Sequence, residues 1–200
     1  MALKICIING YPEKNRQALT DAGVTGADEL YVRVLQKLIP DATLDLFMIA
    51  DLGSSLPGGG IEAYDAFIWT GSNLTIYEDD PRVTRQIEFA RQVYEVGRPS
   101  FGSCWGVQMA AAAAGGEVRK NPRGRELGFG RKICLTTEGR AHPMYEGKPD
   151  VFDGFIMHLD EVSRIPAGGR LLATNEHTPV QALEVRHKKG IFWATQYHPE

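Results

Sequence analysis

Cys104, His198 and Glu200 are the residues of this chain whose types and placement suit nucleophilic chemistry. Cys104 lies between Gly102 and Gly106 in the stretch 100–116, SFGSCWGVQMAAAAAGG, after a short extended run opened by Pro99. The alanine-rich segment behind it has high intrinsic helix propensity and stops at Gly115 and Gly116. Strand, tight turn bearing a nucleophile, then helix is the logic of the nucleophile elbow, here with Cys in place of Ser. The two glycines let strand and helix approach where a side chain would clash. The helix start turns free N–H groups and the positive end of its dipole toward the sulfur, an arrangement that favours thiolate over thiol. A buried structural cysteine in a glycine-punctuated turn would also fit this stretch alone.

The far end of the sequence separates the two readings. Residues 191–196, IFWATQ, read as a mostly apolar strand that delivers Tyr197, His198, Pro199 and Glu200. A residue before proline is pushed toward extended geometry. Side chains two apart on an extended chain share one side, with Cα atoms about 7 Å apart. Glu200 is thereby expected behind His198, accepting one ring N–H and turning the other nitrogen toward Cys104. Nucleophile, base and orienter are recognised by role, not by chain order.

The elements needed to carry these residues are legible in outline. The 200 residues are 43% hydrophobic, enough for one globular domain with a sizeable core. A net charge of −3 gives no electrostatic case for nucleic acid or an anionic membrane surface, and no apolar run approaches the ~20 residues of a membrane span. Cys6, Cys104 and Cys134 are odd in number and scattered, which favours a reducing, cytoplasmic setting over a disulfide framework. His142, His158, His177 and His187 show no metal-ligand spacing, so no metal is expected.

Residues 3–8, 43–49 and 66–70 read as buried strands, and residues 28–38 as a helix stopped by Pro40. Residues 11–26 are polar and read as a loop, and 51–60 as a glycine-, proline- and serine-rich connection. Gly71, just past the third strand, is either a turn glycine or one whose N–H reaches a neighbouring site. Val83, Ile87, Ala90 and Tyr94 mark one face of a helix closed by Gly97 and Pro99. This alternation predicts an α/β fold with a mostly parallel central sheet flanked by helices. Beyond Gly116 the chain turns β-rich, with strand-like runs at 132–135, 155–157, 171–174 and 181–185. They are expected to form a small antiparallel portion laid against the parallel sheet. Arg119, Lys120, Arg123 and Arg125 form a basic cluster in a glycine-rich segment, either a solvated face or a contact for a phosphate-bearing ligand or a partner.

GSCWGVQM with a distant QYHPE resembles the class I glutamine amidotransferase family of the Cys-His-Glu type. The resemblance continues in order through YDAFIWTGS, YEDDP, NPRGRELG and MHLDEVSRIP, from about residue 44 to residue 200. It is strongest to the stand-alone, GMP synthase-like branch, in which NP-x-G-x-E-(L/I)-G follows the nucleophile helix. The resemblance implies a flavodoxin-like fold and a single amidotransferase domain over residues 1–200. It assigns Cys104 as nucleophile, His198 as acid/base and Glu200 as orienter. Gly71 and Trp105 match the positions supplying the oxyanion-hole N–H groups, and Gln108 and His158 match substrate-pocket positions. It implies no cofactor. The substrate would be L-glutamine or a γ-glutamyl compound, with a separate synthetase as possible ammonia acceptor or, alternatively, simple hydrolysis of γ-glutamyl peptides or conjugates. Two departures stand out. Leu159 replaces the usual Gly of a His-Gly-Asp loop, which implies either a narrower pocket or a change in how backbone groups meet the substrate. The sequence also stops at Glu200, where family members run on into a helix, which implies a loosely held orienter.

Overall fold

The computed structural model describes residues 2–200. Strand β1 (Lys4–Ile8) sits between β2 (Thr43–Phe47) and β3 (Ala66–Trp69), and all three run parallel. Beside β3 lies β4 (Ser100–Ser103), followed by β11 (Gly190–Thr195), both parallel again. The period of two along β1 explains its place. Ile5 and Ile7 pack under Tyr31 of α2 (Ala27–Leu38), whereas Cys6 and Ile8 face the larger cluster. That cluster is shared with α3 (Pro81–Val96) and α4 (Trp105–Ala113). A strand buried on both faces must be apolar throughout, and β1 is, apart from its first residue, Lys4.

The α3 boundaries follow from local chemistry. Asp80 caps the start by accepting from the Arg82 N–H at 2.8 Å, Pro81 fills the first position, and Gly97 ends the helix in a left-handed conformation (φ 88°).

The antiparallel strands of the second half are not a layer set against the parallel sheet; most of them extend it. From β11 the sheet continues antiparallel through β10 (Ala182–His187), β9 (Gly169–Thr174), β6 (Glu126–Leu135) and β7 (Val151–His158), nine strands in all. A separate two-stranded antiparallel sheet joins β5 (Glu117–Lys120) to β8 (Asp160–Arg164). The basic segment before residue 130 is partly strand, because β6 begins at Glu126 and pairs it with His158. Between β6 and β7 lies the one-turn helix α5 (Thr137–Arg140). No helix among the described residues is long and apolar enough to cross a membrane.

The expected loop at residues 11–26 is corrected: it contains helix α1 (Glu13–Asp21). None of its residues is fully buried, so it lacks the apolar stripe by which amphipathic helices are read. It starts where Pro12 fixes an extended N-cap and Glu13 complements the helix dipole. Asp51 anchors it, accepting from the Glu13 N–H at 2.9 Å and pairing with Arg16 at 2.7 Å.

β4 and α4 meet at a close backbone contact. A Cβ placed on Gly102 would lie 2.9 Å from the Gly106 Cα and 3.0 Å from the Trp69 carbonyl oxygen. Backbone on two sides leaves no cheap relief. Gly102→Ala is expected to destabilise the protein by ~1–3 kcal/mol through overpacking, read as a lower urea midpoint at unchanged slope. An unchanged midpoint would show that strand and helix can part without cost.

Candidate active site

β1, β3, β4 and β11 are parallel neighbours, so their carboxyl ends open on one edge of the sheet. Gly10, Gly71, Cys104 and His198 all follow those ends. Cys104 takes φ 53° and ψ −97°, a conformation that costs a non-glycine residue ~1–3 kcal/mol. It is held there on both sides. Its N–H donates to the Thr195 carbonyl at 2.8 Å, and Trp105 directly behind it begins α4. The side chain, almost fully buried, places Sγ 3.6 Å from the Met157 carbonyl oxygen.

His198 is reached from β11 and pinned to β7, its N–H donating to the Phe155 carbonyl at 2.8 Å. Its Nδ1–H donates to Glu200 Oε1 at 2.8 Å, because a carboxylate only accepts, and this leaves Nε2 for Cys104. The pairing of His198 with Glu200 is the one the extended spacing predicts. Glu200 is not loosely held: its side chain is 3% exposed, and Oε1 also accepts from Ser103 Oγ at 2.9 Å. Ser103 in turn accepts from the buried Tyr31 hydroxyl at 2.9 Å. Sequence reasoning missed Ser103 and Tyr31. The adjacency of Ser103 to Cys104 was the available signal, but nothing local points to a tyrosine on α2.

Burial alone would lower the His198 pKa. The Cys104 side chain and then Glu200, both as hydrogen-bond partners and as negative charges, outweigh it and raise His198 to about 10. Tyr11 beside the site is pushed up to about 12, by burial first and then by Cys104 and Glu200. It is therefore a neutral phenol at physiological pH. Cys6 is also raised to about 12, mainly by burial, and lies in the core as an inert thiol.

Gly71 lies against His198. A Cβ there would be 3.3 Å from the Tyr11 hydroxyl oxygen and 3.5 Å from His198 Cε1. Its loop is tied to Gly10 by the Gly10 N–H donating to Thr70 Oγ1 at 3.1 Å and by Ser72 Oγ donating to the Gly10 carbonyl at 2.7 Å. The Trp105 N–H belongs to the first turn of α4, where backbone donors have no partner within the helix. The Trp105 ring is buried, donating from Nε1 to Gln86 Oε1 at 2.9 Å.

A cavity of about 480 Å³ opens in front of Cys104. Gln108, His158, Leu159 and Asp160 line one side, and α1 supplies Asn15, Ala18 and Leu19. Gln108 Nε2 donates to the Asp160 carbonyl at 3.4 Å. The Leu159 side chain borders the cavity, as the missing glycine leads one to expect. His158 is engaged internally, with Nδ1 2.8 Å from the Asp160 carbonyl oxygen and Nε2 3.1 Å from Glu126 Oε2. Glu126 is a hub missed in the sequence: it also accepts from Asn175, Thr178 and Gln181. Burial by itself would raise its carboxyl; donation from His158, Asn175 and Thr178 outweighs that and holds it below the ordinary value. Among the described residues, no cluster of three or more His, Cys, Asp or Glu side chains is arranged to hold a metal ion.

The family model described as "Glutamine amidotransferase class-I" matches residues 77–200. The gamma-glutamyl-L-1-hydroxyisopropylamide hydrolase of a Pseudomonas species is 38% identical over 203 residues, covering 99% of this chain and 68% of that protein. The chain belongs to the class-I glutamine amidotransferase family. It is an enzyme of that class. A GMP synthase from Clostridium novyi is 34% identical over 136 residues, which cover 68% of the amidotransferase chain and only 24% of the synthase. The chain thus spans about two thirds of the Pseudomonas protein and about a quarter of the GMP synthases it matches. Two solved structures share its fold. The glutamine amidotransferase of Thermotoga maritima has a TM-score of 0.75 at 18% identity, covering 99% of this chain and 76% of that one. A glutamine amidotransferase of Methylobacillus flagellatus has a TM-score of 0.67 at 20% identity, covering 99% and 70%.

Two measurements test the geometry. With its pKa raised above the unfolded value, His198 contributes stability that is full below pH ~6.5 and lost as the pH rises through about 10. In an NMR titration its imidazole is expected to change charge near that upper value and to move down in Cys104→Ala; identical midpoints in both would exclude coupling to the thiolate. Because the backbone at Cys104 favours glycine, Cys104→Gly is expected to be more stable than Cys104→Ala by ~1 kcal/mol in urea unfolding. The reverse order would show the turn to be unstrained.

Proposed function

We propose that the enzyme hydrolyses a γ-glutamyl amide through a thioester on Cys104, with His198 as acid/base and Glu200 as orienter. The observation that carries this reading is the line Tyr31–Ser103–Glu200–His198, which ends at a cysteine in a strained turn at the start of a helix. The Cys104 thiolate attacks the amide carbon, and the N–H groups of Gly71 and Trp105 receive the developing oxyanion, each worth ~3 kcal/mol in such sites. Protonated His198 gives its proton to the departing nitrogen, which leaves as ammonia or an amine. The neutral imidazole then takes a proton from water, whose oxygen attacks the thioester carbonyl, and the collapse releases glutamate and regenerates the thiolate. Gln108 holds the substrate from the cavity wall. His158, whose ring nitrogens already have partners in the protein, acts by fixing the loop that carries Leu159 and Asp160.

L-Glutamine is the first substrate under this proposal, with the ammonia consumed by a separate synthetase, as the GMP synthase relatives suggest. A second reading is favoured by a specific observation: the Pseudomonas relative, alignable over 99% of this chain, is named as a hydrolase of a γ-glutamyl amide. Under that reading the enzyme needs no acceptor, and the leaving group is an amine. Residues 1–200 act as one catalytic domain in either case. Three unpaired cysteines accord with a reducing, cytoplasmic setting.

Ammonia release from L-glutamine, measured beside amine release from a panel of γ-glutamyl amides and dipeptides, separates the two. Cys104→Ala is expected to abolish all turnover, and acid quenching of the wild type to trap a γ-glutamyl adduct on Cys104. Turnover that survives Cys104→Ala would sink the thioester route. Release from the amides without release from glutamine would establish the second reading.

A further inference from the structure

One face of the β6–β7 hairpin carries four large apolar side chains in the open: Leu127, Phe129 and Phe155, 66%, 62% and 64% exposed, and Met157, 50% exposed. The pairing register makes them one patch. Phe129 stands opposite Phe155 and Leu127 opposite Met157, and directly opposed residues of an antiparallel pair share a face. The Phe129 and Phe155 rings lie together, their centroids 5.1 Å apart. Two residues further along, Arg131 and Asp153 neutralise each other at 2.7 Å, so a closed ion pair bounds the patch. Contiguous apolar surface left open in this way marks a binding face.

The patch runs up to the His198 imidazole. On the edge of β7 away from β6, His198 is the antiparallel bridge partner of Phe155. By the same rule its side chain rises from the face that carries Phe155. His198, Phe155 and Phe129 thus form a row across three strands, with Phe155 about 5 Å and Phe129 about 10 Å from His198 at the usual strand spacing. Met157 joins this row to the sulfur: it borders the cavity in front of Cys104, and its carbonyl oxygen lies 3.6 Å from Sγ.

From this we infer that Leu127, Phe129, Phe155 and Met157 form the subsite for the leaving amine, and that the enzyme acts on γ-glutamyl amides of apolar amines. The inference rests on the proposed γ-glutamyl chemistry at Cys104 and names the end of the substrate that departs. In acylation the sulfur bonds to the amide carbon, the C–N bond breaks, and the Nε2 proton of His198 goes to the nitrogen. The nitrogen must therefore come to His198, and whatever it carries comes to the row beside it. Ammonia leaving from glutamine touches none of these four side chains. A charged amine gains nothing from a face with no free carboxylate, whereas an alkyl or aryl group and the patch shed water from each other.

The test uses the γ-glutamyl amides of methylamine, propylamine and pentylamine, whose amines are alike in basicity, so that only apolar length changes. The readout is kcat/KM, which reports acylation and so includes contact with the amine. In the wild type it is expected to rise by roughly tenfold from methylamide to pentylamide. The double variant Phe129→Thr, Leu127→Thr removes apolar surface while keeping strand-forming residues, and touches neither Cys104 nor His198. It is expected to flatten the series, with the methylamide unchanged, and Phe129→Leu in place of Phe129→Thr to recover part of the slope. A flat series in the wild type, or a slope that survives the double variant, would overturn the inference and leave the thioester chemistry standing. A flat series beside a wild-type dimer that the double variant splits would overturn it in favour of self-association through the patch. Absence of turnover and of any adduct on Cys104 in the wild type would overturn both.

Discussion

Gly102 and Gly106 touch where β4 passes into α4, with the Trp69 backbone closing the third side. Everything catalytic in the molecule depends on that approach. With strand and helix so close, the connecting residue has no room for an ordinary turn and is forced to positive φ. The result is a side chain lifted clear of the sheet edge and a backbone held from both directions. The Thr195 carbonyl that takes the Cys104 N–H belongs to the strand that goes on to His198, so one hydrogen bond sets sulfur and imidazole in a common frame. Strain at Cys104 is local, and the parallel pairing of β3, β4 and β11 sustains it.

A second constraint is polar. Glu126 is buried, and the side-chain donors that converge on its two oxygens make that burial tolerable. What this network fixes is the turn between β7 and β8. His158, held at both ring nitrogens, sets the direction in which Leu159 and Asp160 face the cavity. The catalytic side is organised by backbone packing, and the opposite wall by a buried carboxylate.

Much of this was legible in the sequence, and the failures have physical causes. The parallel strands could be read because burial on two faces demands unbroken apolar runs, and α3 because Asp80, Pro81 and Gly97 mark its ends. The pairing of His198 with Glu200 followed from extended geometry alone. α1 was missed because it packs no apolar stripe; its contacts are an aspartate salt bridge and the cavity itself. β5 and β8 were missed because short half-exposed strands leave little periodicity. The hub at Glu126 is a matter of long-range contact, with partners 32 to 55 residues away, and no local pattern announces it.

The strand order has a consequence for how the chain is made. β11 lies between β4 and β10, yet it follows both of them in sequence. A nascent chain leaving the ribosome therefore holds two partial sheets, each with a bare edge where β11 will enter. Unpaired edges invite pairing with other chains. The interval between synthesis of β10 and insertion of β11 is short, since only Lys188 and Lys189 separate the two strands. β4, by contrast, waits through the synthesis of more than eighty residues with one side open. Insertion of β11 seals that seam and carries the imidazole to the thiol in the same step, so the nascent chain gains its chemistry only when the two halves of its sheet are joined.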